Sequence, residues 1–260
     1  PHGMLLLGNA VIISEEGKLT RYDYNFENPE VLVQGIPSGN HQTNAVNLLP
    51  NGTLIWHSGS TCNHCNEDDS RNAALLWVNA TTGEHGILAT GVRNSFDGVW
   101  VDEIGYLFTD NGQDAEGNDF PNEEVNLLVD GADYGWLVES KSDPNPDGTE
   151  APVATWTPHT SVNGMTTRPA NMPGDKYTVY ATVYGSWATI LPAGHQILKI
   201  DFTQTDDGWV GDVEIFAEDV GTPLPITGGP DGNLYYATFD HGGSVHVISP
   251  EDNWWSSSSD

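Results

Sequence analysis

One pattern recurs along this chain and limits its fold more than any other feature: a tight turn, an alternating apolar strand, then a small or polar stop. It runs as Gly8-Asn9-Ala10-Val11-Ile12-Ile13-Ser14, as Asn51-Gly52-Thr53-Leu54-Ile55-Trp56-His57-Ser58, and as Glu103-Ile104-Gly105-Tyr106-Leu107-Phe108-Thr109-Asp110. A looser copy covers residues 174–182, and the last is Asp231-Gly232-Asn233-Leu234-Tyr235-Tyr236-Ala237-Thr238. Asn-Gly and Asp-Gly favour two-residue hairpin turns, because both central residues take positive φ. The turns recur at intervals of roughly 40 to 70 residues, room for four strands each and for longer loops on one face.

Further strands are expected at 19–24, 74–78, 196–200 and 245–248, each following its hairpin at the distance of the next strand, and no helix is expected. The sequence therefore predicts an all-β fold: a β-propeller of four-stranded antiparallel blades, with about five blades visible over residues 1–250 and a Ser-rich tail at 251–260. A β-sandwich is the alternative, and the radial repetition of one hairpin-plus-strand unit argues against it. The chain opens inside a blade, so the first blade is expected to be incomplete or missing. The open edge would invite self-assembly or a partner chain.

Charge narrows the partners. The 260 residues hold 37 Asp and Glu against 8 Lys and Arg, a formal net charge of −29. Such a field repels phosphate backbones and anionic lipid, so nucleic acid is not an expected partner. No apolar run reaches the length of about 18 residues that membrane insertion requires. The acids are scattered, which fits either a solvated, salt-adapted surface or the collection of divalent cations. The opening Pro1-His2-Gly3 reads as a mature or trimmed start.

The two cysteines stand in Cys62-Asn63-His64-Cys65. A lone C-x-x-C can be a redox pair, half of a zinc site completed by His64 and a remote ligand, or a short-loop disulfide. Without a second Cys pair or a βαβ setting, a structural disulfide in an oxidising compartment is favoured, and with it an extracellular or periplasmic location. Asn51-Gly52-Thr53 and Asn79-Ala80-Thr81 are glycosylation sequons if the source glycosylates.

Residues 37–136 hold the side chains with chemistry. His41 lies on a polar loop, where an imidazole titrates near neutral pH and can act as a base toward an alcohol or simply cap a turn. The stretch from Asp110 to Glu124 offers Asp110, Asp114, Glu116, Asp119, Glu123 and Glu124, with carbonyls freed by Gly112 and Gly117. Hard oxygen donors on an irregular loop suit Ca²⁺, although the spacing is not that of an EF-hand and a solvated acidic loop has the same composition.

The order of segments resembles the soluble PQQ-dependent glucose/sorbosone dehydrogenase family, six-bladed propellers that use pyrroloquinoline quinone (PQQ) and Ca²⁺. The matching pieces begin with Gly39-Asn40-His41-Gln42, Leu49-Pro50-Asn51-Gly52-Thr53-Leu54 and Gly59-Ser60-Thr61-Cys62-Asn63-His64-Cys65. They continue through Gly91-Val92-Arg93-Asn94, Asp110-Asn111-Gly112, Glu124-Val125-Asn126-Leu127 and Tyr134-Gly135-Trp136. Later, Tyr184-Gly185-Ser186-Trp187 and Pro230-Asp231-Gly232-Asn233-Leu234-Tyr235 fit the same plan. The resemblance implies that His41 takes the proton of a sugar's C1 hydroxyl while hydride passes to the quinone. It implies cofactor contacts at Arg93 and Asn94, a catalytic Ca²⁺ on the carbonyls of Gly112 and Gln113, and a second Ca²⁺ on Glu124 and the Tyr134 carbonyl.

Two positions depart from the pattern. The family places basic residues around Ser186-Trp187-Ala188-Thr189 and in Val220-Gly221-Thr222-Pro223-Leu224, and this chain has none at either. Of the 8 Lys and Arg, only Arg93 falls at a matched cofactor position, whereas PQQ brings three carboxylates that need partners. The expected function is an aldose dehydrogenase using PQQ and Ca²⁺. The alternative is a non-catalytic, calcium-stabilised extracellular propeller for binding or assembly; a lactonase-type hydrolase with Ca²⁺-activated water is a third reading.

Overall fold

The computed structural model describes residues 2–186, 193–239 and 242–250; the Ser-rich tail at 251–260 and Trp187-Ala188-Thr189 lie outside the described residues. The first sheet contains β1 (Gly3–Leu7), β2 (Ala10–Glu15), β3 (Lys18–Asp23) and β4 (Glu30–Gln34), so the opening stretch carries four strands. The second contains β5 (Thr43–Leu48), β6 (Leu54–Ser58), β7 (Ala74–Val78) and β8 (His85–Thr90). The third contains β9 (Gly98–Val101), β10 (Gly105–Asp110), β11 (Glu123–Leu127) and β12 (Ala154–Trp156). The fourth contains β13 (Val162–Thr167), β14 (Thr178–Val183), β15 (Gln196–Thr205) and β16 (Gly208–Ala217). The fifth shows three strands among the described residues, β17 (Pro223–Gly228), β18 (Leu234–Thr238) and β19 (Ser244–Ile248).

Each sheet is an antiparallel meander of sequence neighbours, and together they form a β-propeller. The recurring turn joins the first and second strands of every blade. Gly52 shows why the turn needs its glycine: it holds φ at +85°, in the left-handed region that a side chain disfavours.

The blades are held by apolar seams. Ile12, Leu19 and Val33 meet Val46, Trp56 and Leu76 between the first and second blades. Ile55, Leu75 and Val92 meet Tyr106, Phe108 and Tyr134 between the second and third. Leu107 and Val125 meet Val179, Leu198 and Ile200 between the third and fourth, and Tyr180 and Ile197 meet Leu234, Tyr236 and Ile248 between the fourth and fifth. Among the described residues no such seam joins the fifth blade to the first.

A buried polar chain crosses the second seam. Tyr106 donates its hydroxyl proton to Asn47 Oδ1 (2.7 Å), so it accepts from His57 Nε2 (2.7 Å). His57 is neutral, because burial pushes it down to about 3, and its Nδ1 accepts from Ser95 Oγ at 2.8 Å.

Candidate functional site

In an antiparallel meander successive connections alternate between two faces. The tight turns between first and second strands therefore share one face. The loops that follow the second and fourth strands share the other, and these hold 35–42, 59–73, 91–97, 111–122 and 157–161. The long connection after β11 runs back beside β8 through a parallel bridge between Thr90 and Asp133, returning Tyr134 and Trp136 to that face.

His41 is positioned by backbone pairing of its loop with the start of the 59–73 loop. Its N–H donates to the Ser60 carbonyl at 3.1 Å, and Gly59 N–H donates to the Gln42 carbonyl at 3.0 Å. Gly59 permits this approach: a Cβ there would stand 2.7 Å from His41 Cβ. The ring's tautomer follows from its partner. Ser60 Oγ donates its one proton to the Cys62 carbonyl (2.7 Å), so toward His41 Nδ1, 2.8 Å away, it accepts. Nδ1 thus carries the proton and Nε2 the lone pair. Burial, and after it the charge of Arg93, push His41 down to about 4, so the ring is neutral at physiological pH.

Cys62 and Cys65 are joined in a disulfide, which leaves no thiolate for the zinc alternative. Between them, Asn63 accepts from Arg93 Nε on its carbonyl (3.2 Å) and from Arg93 Nη2 on Oδ1 (2.8 Å). Arg93, buried at 5% exposure, also donates to the Asn111 carbonyl (3.2 Å) and to Asp114 Oδ2 (3.1 Å). Its neighbour Asn94 accepts from Asn44 Nδ2 at 3.1 Å. Asp110 ties both into place, receiving the backbone N–H groups of Arg93 (2.9 Å), Asn94 (2.7 Å) and Asn111 (3.0 Å).

Below Arg93 lies a cleft lined by Gly91, Arg93, Asp110, Gly112, Asn122, Glu124, Tyr134, Trp136 and Glu139. The centre of a water-sized sphere can move through only about 10 Å³ of it, room for one ion or water. Burial biases its carboxyls toward their neutral form. Burial, opposed by the backbone N–H donors, pushes Asp110 up to about 7. Burial, reinforced by the charges of Asp110 and Glu123, pushes Glu124 to about 8. Burial, with Glu124 and Asp110 beside it, pushes Glu139 to about 9. Behind the cleft, Glu123 accepts from Ser161 N–H (2.9 Å) and Gly112 N–H (3.3 Å), and burial raises it to about 7. Asn111 Oδ1, Gln113 Oε1 and Asn126 Oδ1 are buried without a hydrogen-bond partner among the described residues. Buried carboxyls around an ion-sized space are a donor set that a hard cation prefers.

The expected site residues are thus brought together unevenly. Gly112, Glu124, Tyr134 and Arg93 share one cleft, although the resemblance implies two separate cations for the first three; Gln113 is buried nearby and does not line it. His41 and Asn94 stand outside the cleft's lining, in the same cluster of loops. Among the residues without a role from the sequence that enter the site are Ser60, Asn63 and Glu139. The first two lie inside the quoted Gly59–Cys65 motif, where a polar residue between or beside paired cysteines is the available signal. Glu139 sits in a loop with nothing to mark it.

No family model matches the chain. A Borreliella burgdorferi protein described as uncharacterized is 26% identical over 244 residues, covering 82% of this chain and 62% of its own length. The chain therefore spans less than two thirds of that curated relative. The PQQ domain of pyranose dehydrogenase from Coprinopsis cinerea, in its holo form, superposes with a TM-score of 0.76 at 17% identity, covering 95% of this chain and 81% of that one. The calcium structure of a Trichoderma reesei family AA12 carbohydrate-active enzyme gives 0.75 at 16%, with 95% and 80% covered. The soluble aldose sugar dehydrogenase of Escherichia coli, in its apo form, gives 0.61 at 15%, with 96% of each chain covered. At these identities the likeness is one of fold.

Proposed function

We propose that this chain is a calcium-binding propeller of the sugar-dehydrogenase type in which His41 takes the proton of a sugar hydroxyl. The observation that carries the reading is the relay from His41 Nδ1 to Ser60 Oγ and on to the Cys62 carbonyl. A base toward an alcohol must be neutral at working pH and must present a lone pair, and a fixed Nδ1–H leaves Nε2 in that state.

Ca²⁺ fits the cleft. Glu124, Asp110 and Glu139 would supply carboxylate oxygen, and Gly112 and Tyr134 backbone carbonyls. When bound, the ion supplies charge that returns the carboxyls to their ionised form and Lewis acidity beside the substrate.

The resemblance extends the reading to oxidation of the sugar C1 hydroxyl by hydride transfer to PQQ. These residues do not fit that trianion. Arg93 already makes four hydrogen bonds to protein, which leaves one of its five N–H groups uncommitted among the described residues. Lys18, Arg21, Arg71, Lys141, Lys176 and Lys199 pair with carboxylates, and Arg168 donates to backbone carbonyls, all outside the cleft's lining. The chemistry proposed for these residues accordingly ends at the His41 proton and the cation. The same committed cations favour a second reading, a non-catalytic, calcium-stabilised propeller for binding or assembly. The disulfide supports a location outside the cytoplasm for either.

The test is dye-linked oxidation of an aldose panel by the purified protein with Ca²⁺ and PQQ, beside the Ca²⁺-dependent shift in Tm. Oxidation that disappears in His41→Ala supports the dehydrogenase. A Ca²⁺ shift without oxidation supports the second reading, and no response to Ca²⁺ overturns both.

A further inference from the structure

We propose that Asn63, bracketed by the Cys62–Cys65 disulfide, is the positioning residue of the cation cleft. This rests on the reading of that cleft as a Ca²⁺ site and goes beyond it, because Asn63 does not line the cleft and donates no ligand to it.

Three walls of the cleft meet at this residue. Arg93 donates twice to it, through Nε to the carbonyl (3.2 Å) and Nη2 to Oδ1 (2.8 Å). Trp136 Nε1 donates to the same carbonyl at 3.2 Å. The loop that presents Gly112 is held by a two-point pairing: Asp114 N–H donates to Asn63 Oδ1 (2.9 Å), and Asn63 Nδ2 donates to the Asp114 carbonyl (3.0 Å). A side-chain amide has an acceptor and a donor side by side, so it can pair with a backbone N–H and carbonyl together; a carboxylate would face that carbonyl with like charge. The carbonyl half depends on backbone placement, and the disulfide closes the loop on either side of it. Arg93 lies on the loop before β9, Trp136 on the loop after β11 and Gly112 on the loop after β10, and the one residue Asn63 bonds to all three loops.

Groups of this kind, which orient ligands without touching the metal, typically change metal affinity by about 10- to 100-fold when removed. The probe is Tb³⁺, whose luminescence is sensitised by Trp136 in the cleft wall, displaced by Ca²⁺ to give the Ca²⁺ Kd. Asn63→Ala is expected to weaken Ca²⁺ by about tenfold or more and to change the number of waters on bound Tb³⁺ read from its lifetime. Asn63→Asp keeps an acceptor for Arg93 and for the Asp114 N–H and loses only the bond to the Asp114 carbonyl, so its Kd falls between those of the parent and Asn63→Ala. The pair Cys62→Ser with Cys65→Ser keeps the amide and loosens the carbonyl, and it is expected to weaken Ca²⁺ as well. A folded Asn63→Asp or double-serine protein that binds Ca²⁺ within about twofold of the parent, with unchanged Tb³⁺ lifetime, overturns the proposal. If the parent chain itself binds neither ion, the reading of the cleft fails, an outcome distinct from a parent that binds and variants that match it.

Discussion

Asp97, at the head of β9, accepts the backbone N–H of Met165 on β13 with one carboxylate oxygen (3.3 Å) and Asn47 Nδ2 from β5 with the other (3.2 Å). The oxygen facing Asn47 also takes Gly98 N–H at 2.8 Å, so one side chain fastens three blades. Asp97→Ala leaves these donors unpaired and is expected to lower stability by about 3 kcal/mol in urea unfolding. Burial raises the Asp97 carboxyl to about 6. Its contribution is therefore full below the unfolded value near 4 and lost as pH rises through 6. Asp97→Asn should cost less than Ala and should flatten the slope of stability against pH between 4 and 6.

His41 titrates in the opposite sense. Its native value is depressed to about 4, so its contribution is present above the unfolded value near 6.5 and is lost as pH falls toward 4. NMR titration of the ring should show no midpoint between pH 5.5 and 8 and nitrogen shifts of a single Nδ1–H tautomer. Ser60→Ala removes the acceptor for that proton, and the shifts should move toward a mixture of tautomers. A midpoint near 6.5 in the parent would sink the assignment of a neutral base.

The cleft carboxyls couple pH to cations. Asp110, Glu124 and Glu139 of the cleft are raised to about 7, 8 and 9, and Glu123 behind it to about 7, so the metal-free protein should lose stability as pH rises from 5 to 9. Ca²⁺ reverses this, and the Tm difference between Ca²⁺ and EDTA should widen with pH across that range. At a hundredfold excess over Kd the ion adds about 2.7 kcal/mol. Glu139→Gln should raise metal-free stability at pH 8.5 and shrink the Ca²⁺ shift; an unchanged shift would remove Glu139 from the site.

Gly59 is the tightest constraint on His41. An added methyl would stand 2.7 Å from His41 Cβ and 3.0 Å from the Gln42 carbonyl oxygen. Gly59→Ala is expected to cost about 1–3 kcal/mol and to move the His41 ring off Ser60, visible as the same loss of the single tautomer.

The fold was legible because its signal is local. A turn such as Asn51-Gly52 followed by β6 announces itself by backbone chemistry alone, and the expected strands at 19–24, 74–78, 196–200 and 245–248 fall on β3, β7, β15 and β19. The candidate site was legible in part from residue types, in His41 and the Asp110–Glu124 loop, and otherwise through resemblance, for a reason built into the meander: the recurring turns occupy the face opposite the loops that carry it. Loops such as 59–73 and 111–122 have no period, and their partners come from other blades. That Ser60 sets the tautomer of His41, or that Glu139 faces Glu124, depends on approaches that no spacing encodes. The cation arithmetic was partly visible, since 8 Lys and Arg are few for 260 residues. That Arg93 is spent on Asn63, Asn111 and Asp114 was not.

Among the described residues four apolar seams join the five blades in chain order, so the first and fifth blades share one such seam each and the middle three share two. In a closed circle every unit loosens only by breaking with two neighbours, whereas in a line each terminal unit breaks with one. Opening should therefore spread inward from the ends, and amide exchange should be slowest in the middle strands β6, β10 and β14 and fastest in β19. Because the cleft and His41 are built on the second and third blades, two seams lie between the third blade and the outer side of the fifth, and one seam lies between the second blade and the outer side of the first. Fraying at either flank is thereby kept at a distance from the groups that must hold still.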